Sequence, residues 1–482
     1  MSTQTYFLNH DLTLFIVILI SLVFVFIGIL YSKKKQSISN YLTANRNIKT
    51  TSLTTSLIAS ALGTWILFGP ASAATWGGIG SVIGYSLGTA FPMLVFIFLG
   101  PKIRNIFPKG NTLTEFIYFK MGKNIFKLIL LLIIFYMFIF LCAEVTAVSM
   151  LVNYISGVPL WITATLVIIS TLAYTLYGGL RASILTDNLQ FFIIIVLLFI
   201  SFYYLFSLNF ISFELVKTNS GHLISSKYIP SYTAGVTFFI AVAATNLFHQ
   251  GNWQRIFAAK NEKVLKKSLL FSFFIIIPIV FLMGMSGIIA VSIDNKVNPD
   301  LAFFSILLKN RSELLSLIII ILAISLTTST IDTLINAISS IIIVDGKKIY
   351  SKFSQEKFLS SSRFLIIILS LVSLVIASKG YSILYLFLLA DLLCCAAVFS
   401  IFYGFYQKKI IEKKILSSIL LGLFLGLLFF PSPDFSKSFL VGILFPTELF
   451  PQIISTSLLF WSFLLATLGP AIVIMSYDSF KR

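Results

Sequence analysis

Charged residues are scarce in this sequence of 482 residues: Asp, Glu, Lys and Arg together make up 11%, whereas hydrophobic residues make up 58%. Mean hydropathy is +0.99. A soluble protein could not keep so much apolar surface from water, so a water-soluble fold is excluded. We predict an all-α polytopic membrane protein with about 13 transmembrane helices, because thirteen apolar stretches each approach the ~20 residues that a helix needs to cross a bilayer. These stretches lie at 12–30, 50–76, 79–100, 128–152, 160–178, 188–208, 233–253, 268–293, 314–344, 364–378, 381–406, 415–431 and 452–476.

Cysteine and histidine are also rare, with three of each. Cys142, Cys394 and Cys395 all fall inside predicted helices, so we expect neither a disulfide framework nor a metal site built on cysteine. Of the histidines, only His249 is predicted to lie in the membrane. The sequence contains neither the His-Glu-Xaa-Xaa-His pattern of zinc proteases nor a Walker-type glycine-rich loop. We therefore expect no enzymatic activity and no cofactor.

The net charge of +18 is distributed unevenly. If the amino terminus lies outside, most of the 35 Lys and Arg residues fall in loops predicted to be inside, including Lys33–Lys35 and the final pair Lys481 and Arg482. The positive-inside rule then places the carboxyl terminus in the cytoplasm and the protein in the cell membrane. Membrane orientation accounts for the basic character, so we expect the lipid bilayer as partner, no nucleic acid and no obligate protein partner.

Two predicted spans contain helix-breaking or strongly polar segments. The second span contains Gly63, Gly69 and Pro70, which weaken or interrupt a helix. The seventh span contains the polar run 246–255 around His249. Because these spans are five apart, interrupted helices at matching positions indicate two inverted five-helix units, as in many secondary transporters. Kinks that serve packing alone are the alternative.

The ninth span has one polar face. Its members recur at three- and four-residue spacing, and four of them carry a hydroxyl group: Leu326, Ser329, Thr330, Thr333, Ala337 and Ser340. Hydroxyl oxygens that face the free carbonyls of a broken helix are suitable ligands for Na⁺. The alternative is that these hydroxyls donate to the preceding helical turn, which is common in membrane helices.

Other features concern packing and buried charge. Gly80, Gly84 and Gly88 follow a four-residue spacing that permits close helix contact, so we predict a packing role. Asp391 lies in a predicted span, where an unpaired carboxylate costs about 2.5–3.5 kcal/mol on insertion scales. Its candidate partners are a bound cation, a polar substrate or His249. Glu144 raises the same question, and its role stays open.

Three ordered motifs resemble the sodium:solute symporter family, which includes sodium-coupled sugar and proline transporters. Residues 186–190 (Thr-Asp-Asn-Leu-Gln) resemble the family's motif between its fourth and fifth core helices. Residues 254–260 resemble the loop after its sixth core helix, and residues 329–345 resemble its eighth core helix. The similarity extends from Asn40 to about Tyr406.

The resemblance implies a LeuT-type core of two inverted five-helix repeats. The implied units are 1–49 with the outer terminus, a peripheral helix and an inner loop, 50–210 with the first repeat, 211–407 with an outer loop and the second repeat, and 408–482 with two peripheral helices. It also implies sodium ligands at the carbonyls of Ala59, Leu62 and Leu326 and the hydroxyls of Ser329 and Thr330. Asp187 matches a carboxylate on the sodium exit path.

The chain departs from the family pattern at two places that affect specificity. Ala61 stands where the sodium–proline branch has a carboxylate, and His249-Gln250 replaces an Asn-Gln pair. The substrate is therefore not carried over from either branch, although 69–85, 111–115 and 253–255 resemble the urea-transporting branch.

We predict a sodium-coupled symporter that moves a small polar organic solute by alternating access. Its substrate cavity is predicted to contain Trp65, His249, Gln250 and Asp391. A proton-coupled urea or amide transporter on the same fold and a non-transporting membrane sensor are the alternatives. A channel is disfavoured, because no continuous polar lining or repeated filter is present.

Overall fold

The computed structural model describes residues 6–32, 37–209, 211–350, 352, 354–407, 410–435, 437–438, 440–441 and 451–479. Ten helices in this part of the chain are long and apolar enough to cross a membrane. The predicted number of thirteen spans stays a prediction. Lys33–Lys35, Lys481 and Arg482 lie outside the described residues, and the predicted orientation of the termini stays a prediction as well.

The described residues are almost entirely helical. The helices of the first half are α1 His10–Ser32, α2 Ile38–Thr43, α3 Thr50–Ala61, α4 Gly69–Ile106, α5 Leu113–Met121, α6 Lys123–Ser156, α7 Leu160–Ser207 and α8 Phe213–Asn219. Those of the second half are α9 Ile229–Phe248, α10 Gln250–Ala258, α11 Glu262–Ile293, α12 Ala302–Leu307, α13 Glu313–Ile349, α14 Gln355–Ala377, α15 Ile383–Gly404, α16 Glu412–Phe429, α17 Gln452–Ser455 and α18 Leu458–Ser479.

Both predicted helix interruptions are confirmed. α3 ends at Ala61, a short 3₁₀ turn covers Thr64–Leu67, and α4 begins at Gly69. Pro70 lies in the first turn of α4, where its missing amide hydrogen costs nothing. In the second repeat, His249 adopts φ −62° and ψ 107° and separates α9 from α10. Each break leaves backbone amides and carbonyls without helical partners, and these groups are available to hold polar ligands inside the bundle.

Two long helices bend at glycines. A straight α7 of 48 residues would be about 72 Å long, more than twice the ~30 Å hydrocarbon core. It turns at Gly179, whose φ is +57°, and α4 turns at Gly78, whose φ is +55°. A side chain at Gly179 would collide with Tyr41, and one at Gly78 with the carbonyl of Leu223. These bends divide α4 and α7 into shorter segments.

The predicted close contact along Gly80, Gly84 and Gly88 is confirmed. These glycines pack on the backbone of α9, where side chains at Gly80 and Gly84 would strike the carbonyls of Ser231 and Gly235. The Gly80 amide also donates to Ser231 Oγ at 2.7 Å. The contact therefore joins the helix that follows the first break to the helix that precedes the second.

α13 lies at the centre of the bundle. Every residue from Leu322 to Ile341 is buried, whereas α1 and α14 expose large apolar side chains such as Phe15 and Phe364. Exposed apolar side chains are expected on peripheral helices that face lipid, and a continuous buried stretch is expected on a central one. The polar face of α13 therefore meets other helices and not the bilayer.

Candidate functional site

A cavity of about 30 Å³ lies between the two helix breaks and α15. The structure brings three of the four predicted substrate residues together in its wall: Trp65 from the first break, His249 from the second and Asp391 from α15. A space of this size is large enough for a group the size of a water molecule. The remaining lining residues are Ser60, Ala61, Tyr85, Phe140, Val242, Asn246, Asn252, Thr330 and Phe387.

Aromatic rings form much of the cavity wall. The ring of Trp65 stacks on Tyr85 with centroids 5.6 Å apart and lies edge-on to Phe387 at 6.5 Å. Phe387 also contacts Phe140 at 4.8 Å. The faces of such rings carry negative electrostatic potential and attract cations that come within about 6 Å of the ring centre. The wall therefore suits a positively charged or polarised group.

Asp391 is the only acidic residue of this wall, and it is buried. Its carboxylate accepts a hydrogen bond from the Thr245 hydroxyl at 2.7 Å. None of the ion pairs found between described residues involves Asp391, so His249 is not its salt-bridge partner. A bound cation or polar substrate stays the candidate partner.

His249 and Gln250 point to different places although they are neighbours in sequence. His249 lines the cavity, and its buried Nδ1 has no hydrogen-bond partner among the described residues. Gln250 begins α10 and turns away: its Oε1 accepts from the Leu113 amide at 3.1 Å, and its Nε2 donates to the Asn111 carbonyl at 3.1 Å and to Ser340 Oγ at 3.2 Å. The structure therefore does not bring Gln250 into the cavity, because α10 starts a new helical direction after His249.

The predicted sodium ligands lie where α3 ends against α13. Ala59 and Leu62 belong to the last turn of α3, where carbonyls lose their helical donors. The Thr64 hydroxyl donates to the Ala323 carbonyl at 3.2 Å and contacts the Thr327 hydroxyl, so this break packs one turn from Leu326. The break and the polar face of α13 are therefore in contact.

The two predicted hydroxyl ligands differ in their surroundings. Ser329 Oγ donates to Asp187 at 2.7 Å. Thr330 Oγ1 is buried and has no hydrogen-bond partner in the part of the chain that the structure describes. A buried hydroxyl without a partner is costly, so Thr330 is the more available of the two for a bound ion.

Asp187 and Arg255 form a fully buried ion pair at 2.7 Å. Arg255 also donates to Ser56 at 2.8 Å and to Thr333 at 2.9 Å, which joins α10 to α3 and α13. Residues 254–260 resemble a loop of the family, but Arg255 lies inside α10 in this protein. Ser56 and Arg255 were missed as site residues, although a buried carboxylate at Asp187 is a signal that a cationic partner exists.

Comparisons with known proteins agree with the helical architecture. The family model described as "Sodium:solute symporter family" matches residues 41–422. The spermidine transporter DUR31 of Candida albicans is 28% identical over 381 residues, which cover 78% of this chain and 71% of that protein. The urea active transporter of Saccharomyces cerevisiae is 23% identical over 180 residues, covering 35% and 23%. A Na⁺-coupled sialic acid symporter in a substrate-bound outward-open state superposes with a TM-score of 0.72 at 16% identity, covering 95% and 97%.

Proposed function

The chain belongs to the sodium:solute symporter family, and from that premise we propose that its solute carries a positively charged amine. Membership makes the protein a multi-pass membrane transporter with the LeuT-type fold that couples Na⁺ to the movement of a small solute. The residues that line the cavity at the helix breaks indicate the chemical class of the solute.

The observation that carries the proposal is Asp391 in a wall of aromatic rings. Its carboxylate has one hydrogen bond, from Thr245, and no cationic neighbour within ion-pair distance among the described residues. A charge left in this state inside the membrane costs about 2.5–3.5 kcal/mol. An ammonium group offsets that cost, and the faces of Trp65 and Phe387 attract the same group. A neutral solute would do neither.

The size of the cavity supports recognition of an amine head group. The space beside Asp391 holds about one ammonium-sized group. A second cavity of about 420 Å³ is lined by Asp300 and Leu384. Leu384 lies on α15 one helical turn before Phe387, which lines the first cavity. A longer amine could extend from the first cavity into the second. The similarity to a spermidine transporter supports the same class of solute.

A neutral amide such as urea is the second candidate, supported by the similarity to a urea active transporter. In that case Asp391 would be protonated, and H⁺ would be the coupling ion in place of Na⁺. Cation recognition is favoured because the rings and the carboxylate act on the same group. The electronegative faces of those rings attract a cation more strongly than they attract a neutral solute that bears a carbonyl group.

The coupling ion is proposed to bind at the neighbouring break. The ligands are the carbonyls of Ala59, Leu62 and Leu326 with the hydroxyls of Ser329 and Thr330. Asp187 is proposed to lie on the path by which sodium leaves. We also propose that the amino terminus lies outside and the carboxyl terminus in the cytoplasm, since this orientation places most Lys and Arg residues inside.

The test is a panel of uptake assays in proteoliposomes that contain the purified protein. Monoamines, diamines, polyamines, urea, small amides, sugars and carboxylates are each offered with and without an inward Na⁺ gradient. We expect Na⁺-driven accumulation of amines, loss of this uptake in Asp391→Asn, and normal uptake in Asp294→Asn, which alters an exposed loop carboxylate. Accumulation of urea or sugar without competition by any amine would exclude the proposal.

A further inference from the structure

Glu144 places a second carboxylate beside the first helix break. It lies in the middle of α6 and is fully buried. Its Oε2 accepts from the Thr64 amide at 2.8 Å and its Oε1 accepts from the Trp65 amide at 3.4 Å. Among the described residues, none of the ion pairs includes Glu144. Two backbone amides therefore hold the carboxylate, and its negative charge is not balanced by a cationic side chain.

Gly63 shows that the Glu144 carboxylate and the Thr330 hydroxyl converge on one place. A Cβ atom at Gly63 would lie against Glu144 Oε1 and 2.8 Å from Thr330 Oγ1. Thr330 Oγ1 is the buried oxygen without a hydrogen-bond partner described above. Both oxygens therefore approach the same side of Gly63, beside the ring of Trp65. An anionic oxygen and an unpaired hydroxyl that meet at such a place form a suitable environment for a small cation.

The carboxylates near the proposed sodium ligands differ in whether their charge is available. Asp187 is neutralised by Arg255 and already receives the Ser329 hydroxyl. Ala61, at the position where a related branch has a carboxylate, has no charge to give and lines the solute cavity. Asp332 on α13 accepts hydrogen bonds from Tyr174, Ser183 and Thr186. Glu144 differs from these carboxylates because it accepts from the backbone amides of the first break itself. A cation held only by neutral oxygens in a region of low dielectric lacks the stabilisation that one anionic ligand provides.

We propose that Glu144 is the anionic member of the coupling-ion site and that bound Na⁺ lies between its carboxylate and Thr330. The proposal rests on the coupling-ion site proposed above and adds an anionic ligand to it. It also connects the two sites. Glu144 holds the amide of Trp65, whose ring forms the wall of the solute cavity. Occupation of the ion site would therefore fix the position of Trp65 and prepare the cavity for solute.

The test measures binding and not transport. The purified protein is titrated with Na⁺ at constant ionic strength with K⁺, and its thermal unfolding midpoint is followed, since a ligand that binds the native state raises that midpoint. We expect Glu144→Gln to raise the half-saturating Na⁺ concentration tenfold or more. Glutamine keeps the shape and one carbonyl acceptor for Thr64, so the variant should fold. Glu144→Asp, which keeps the charge, should lie between Glu144→Gln and wild type.

Asp391→Asn separates this inference from the proposed solute class. It should keep the Na⁺ response of the wild-type protein and lose the shift caused by an amine such as spermidine. Equal Na⁺ half-saturation in Glu144→Gln and wild type, within twofold, would overturn the role of Glu144. Identical behaviour of Glu144→Gln and Glu144→Asp would overturn it too, because charge would then not matter. An unchanged amine response in Asp391→Asn would instead reject the solute proposal and leave the ion site standing.

Discussion

At the residue scale, the Asp187–Arg255 pair holds α10, the second part of the broken helix, against α7. Arg255 is held by Asp187, Ser56 and Thr333, which come from three different helices. Desolvation of two charges is costly, so such a pair adds little net stability. Removal of one partner, however, leaves an uncompensated buried charge and typically costs 3–5 kcal/mol. Replacing only one partner of the pair is therefore costly in stability, because the other partner is left as an unpaired buried charge.

We expect Arg255→Leu to lower the free energy of unfolding by about 3–5 kcal/mol, because Asp187 would lose its counter-charge. The double variant Arg255→Leu/Asp187→Leu should recover a large part of this loss. Thermal unfolding in detergent, compared across the two single variants and the double variant, measures the coupling. Additive effects of the two single substitutions would show that the residues do not interact in solution.

The difference between Ser329 and Thr330 gives a second prediction. Thr330→Ala removes a hydroxyl that has no hydrogen-bond partner among the described residues. We therefore expect a higher Na⁺ concentration for half-maximal uptake and an almost unchanged free energy of unfolding. Ser329→Ala removes a hydrogen bond to a charged group, which is worth about 1.5–3 kcal/mol, so stability should fall as well. Uptake as a function of Na⁺ concentration and thermal unfolding of each variant distinguish the two effects. An unchanged Na⁺ dependence in the double variant, at normal membrane expression, would assign both hydroxyls to packing.

At the scale of helices, the sequence predicts the features that depend on local chemistry. Gly63, Gly69 and Pro70 predicted the first break, and a polar run around His249 predicted the second, because these residues disfavour helix wherever they occur. The direction of a side chain after a break is not local. Gln250 and Arg255 lie on α10, whose rotation against α13 is fixed by packing. The position of Gln250 outside the cavity and the buried ion pair of Arg255 could therefore not be predicted from residue spacing.

The contact between α4 and α9 is the clearest test of helix packing. We expect Gly84→Ala to destabilise the protein by about 1–3 kcal/mol, because its methyl group would meet the carbonyl of Gly235 and the helices would have to separate. Gly221→Ala is the matched control, since no atom lies within 4 Å of the Cβ that it would add. Thermal unfolding midpoints of both variants make the comparison. Equal stability of the two would mean that α4 and α9 are further apart than described.

At the scale of the whole molecule, the two ends of the described helix bundle differ. A cavity of about 420 Å³ lies at the end where α15 begins, which is predicted to be outer. At the opposite end, Arg46 donates to the Gly110 carbonyl at 2.6 Å and Arg104 to the Ala259 carbonyl at 2.9 Å. Gln250 adds its bonds to the loop before α5. Two broken helices between these ends suit alternating access, in which the hydrogen bonds at the second end would separate when the cavity at the first end closes.

The charge moved in each transport cycle is the property that distinguishes an amine from a neutral solute. One Na⁺ moving with a neutral solute gains about 2.3 kcal/mol from 100 mV and about 1.4 kcal/mol from a tenfold gradient, which sustains a few-hundredfold accumulation. A monovalent amine adds its own charge, so the potential contributes about twice as much. We therefore expect the charge moved per sodium ion to exceed one when an amine is transported. Simultaneous measurement of current and ²²Na⁺ uptake in proteoliposomes gives this ratio. A ratio of one would show that the solute crosses without net charge. Unchanged solute uptake after replacement of Na⁺ by choline at fixed pH would exclude sodium coupling altogether.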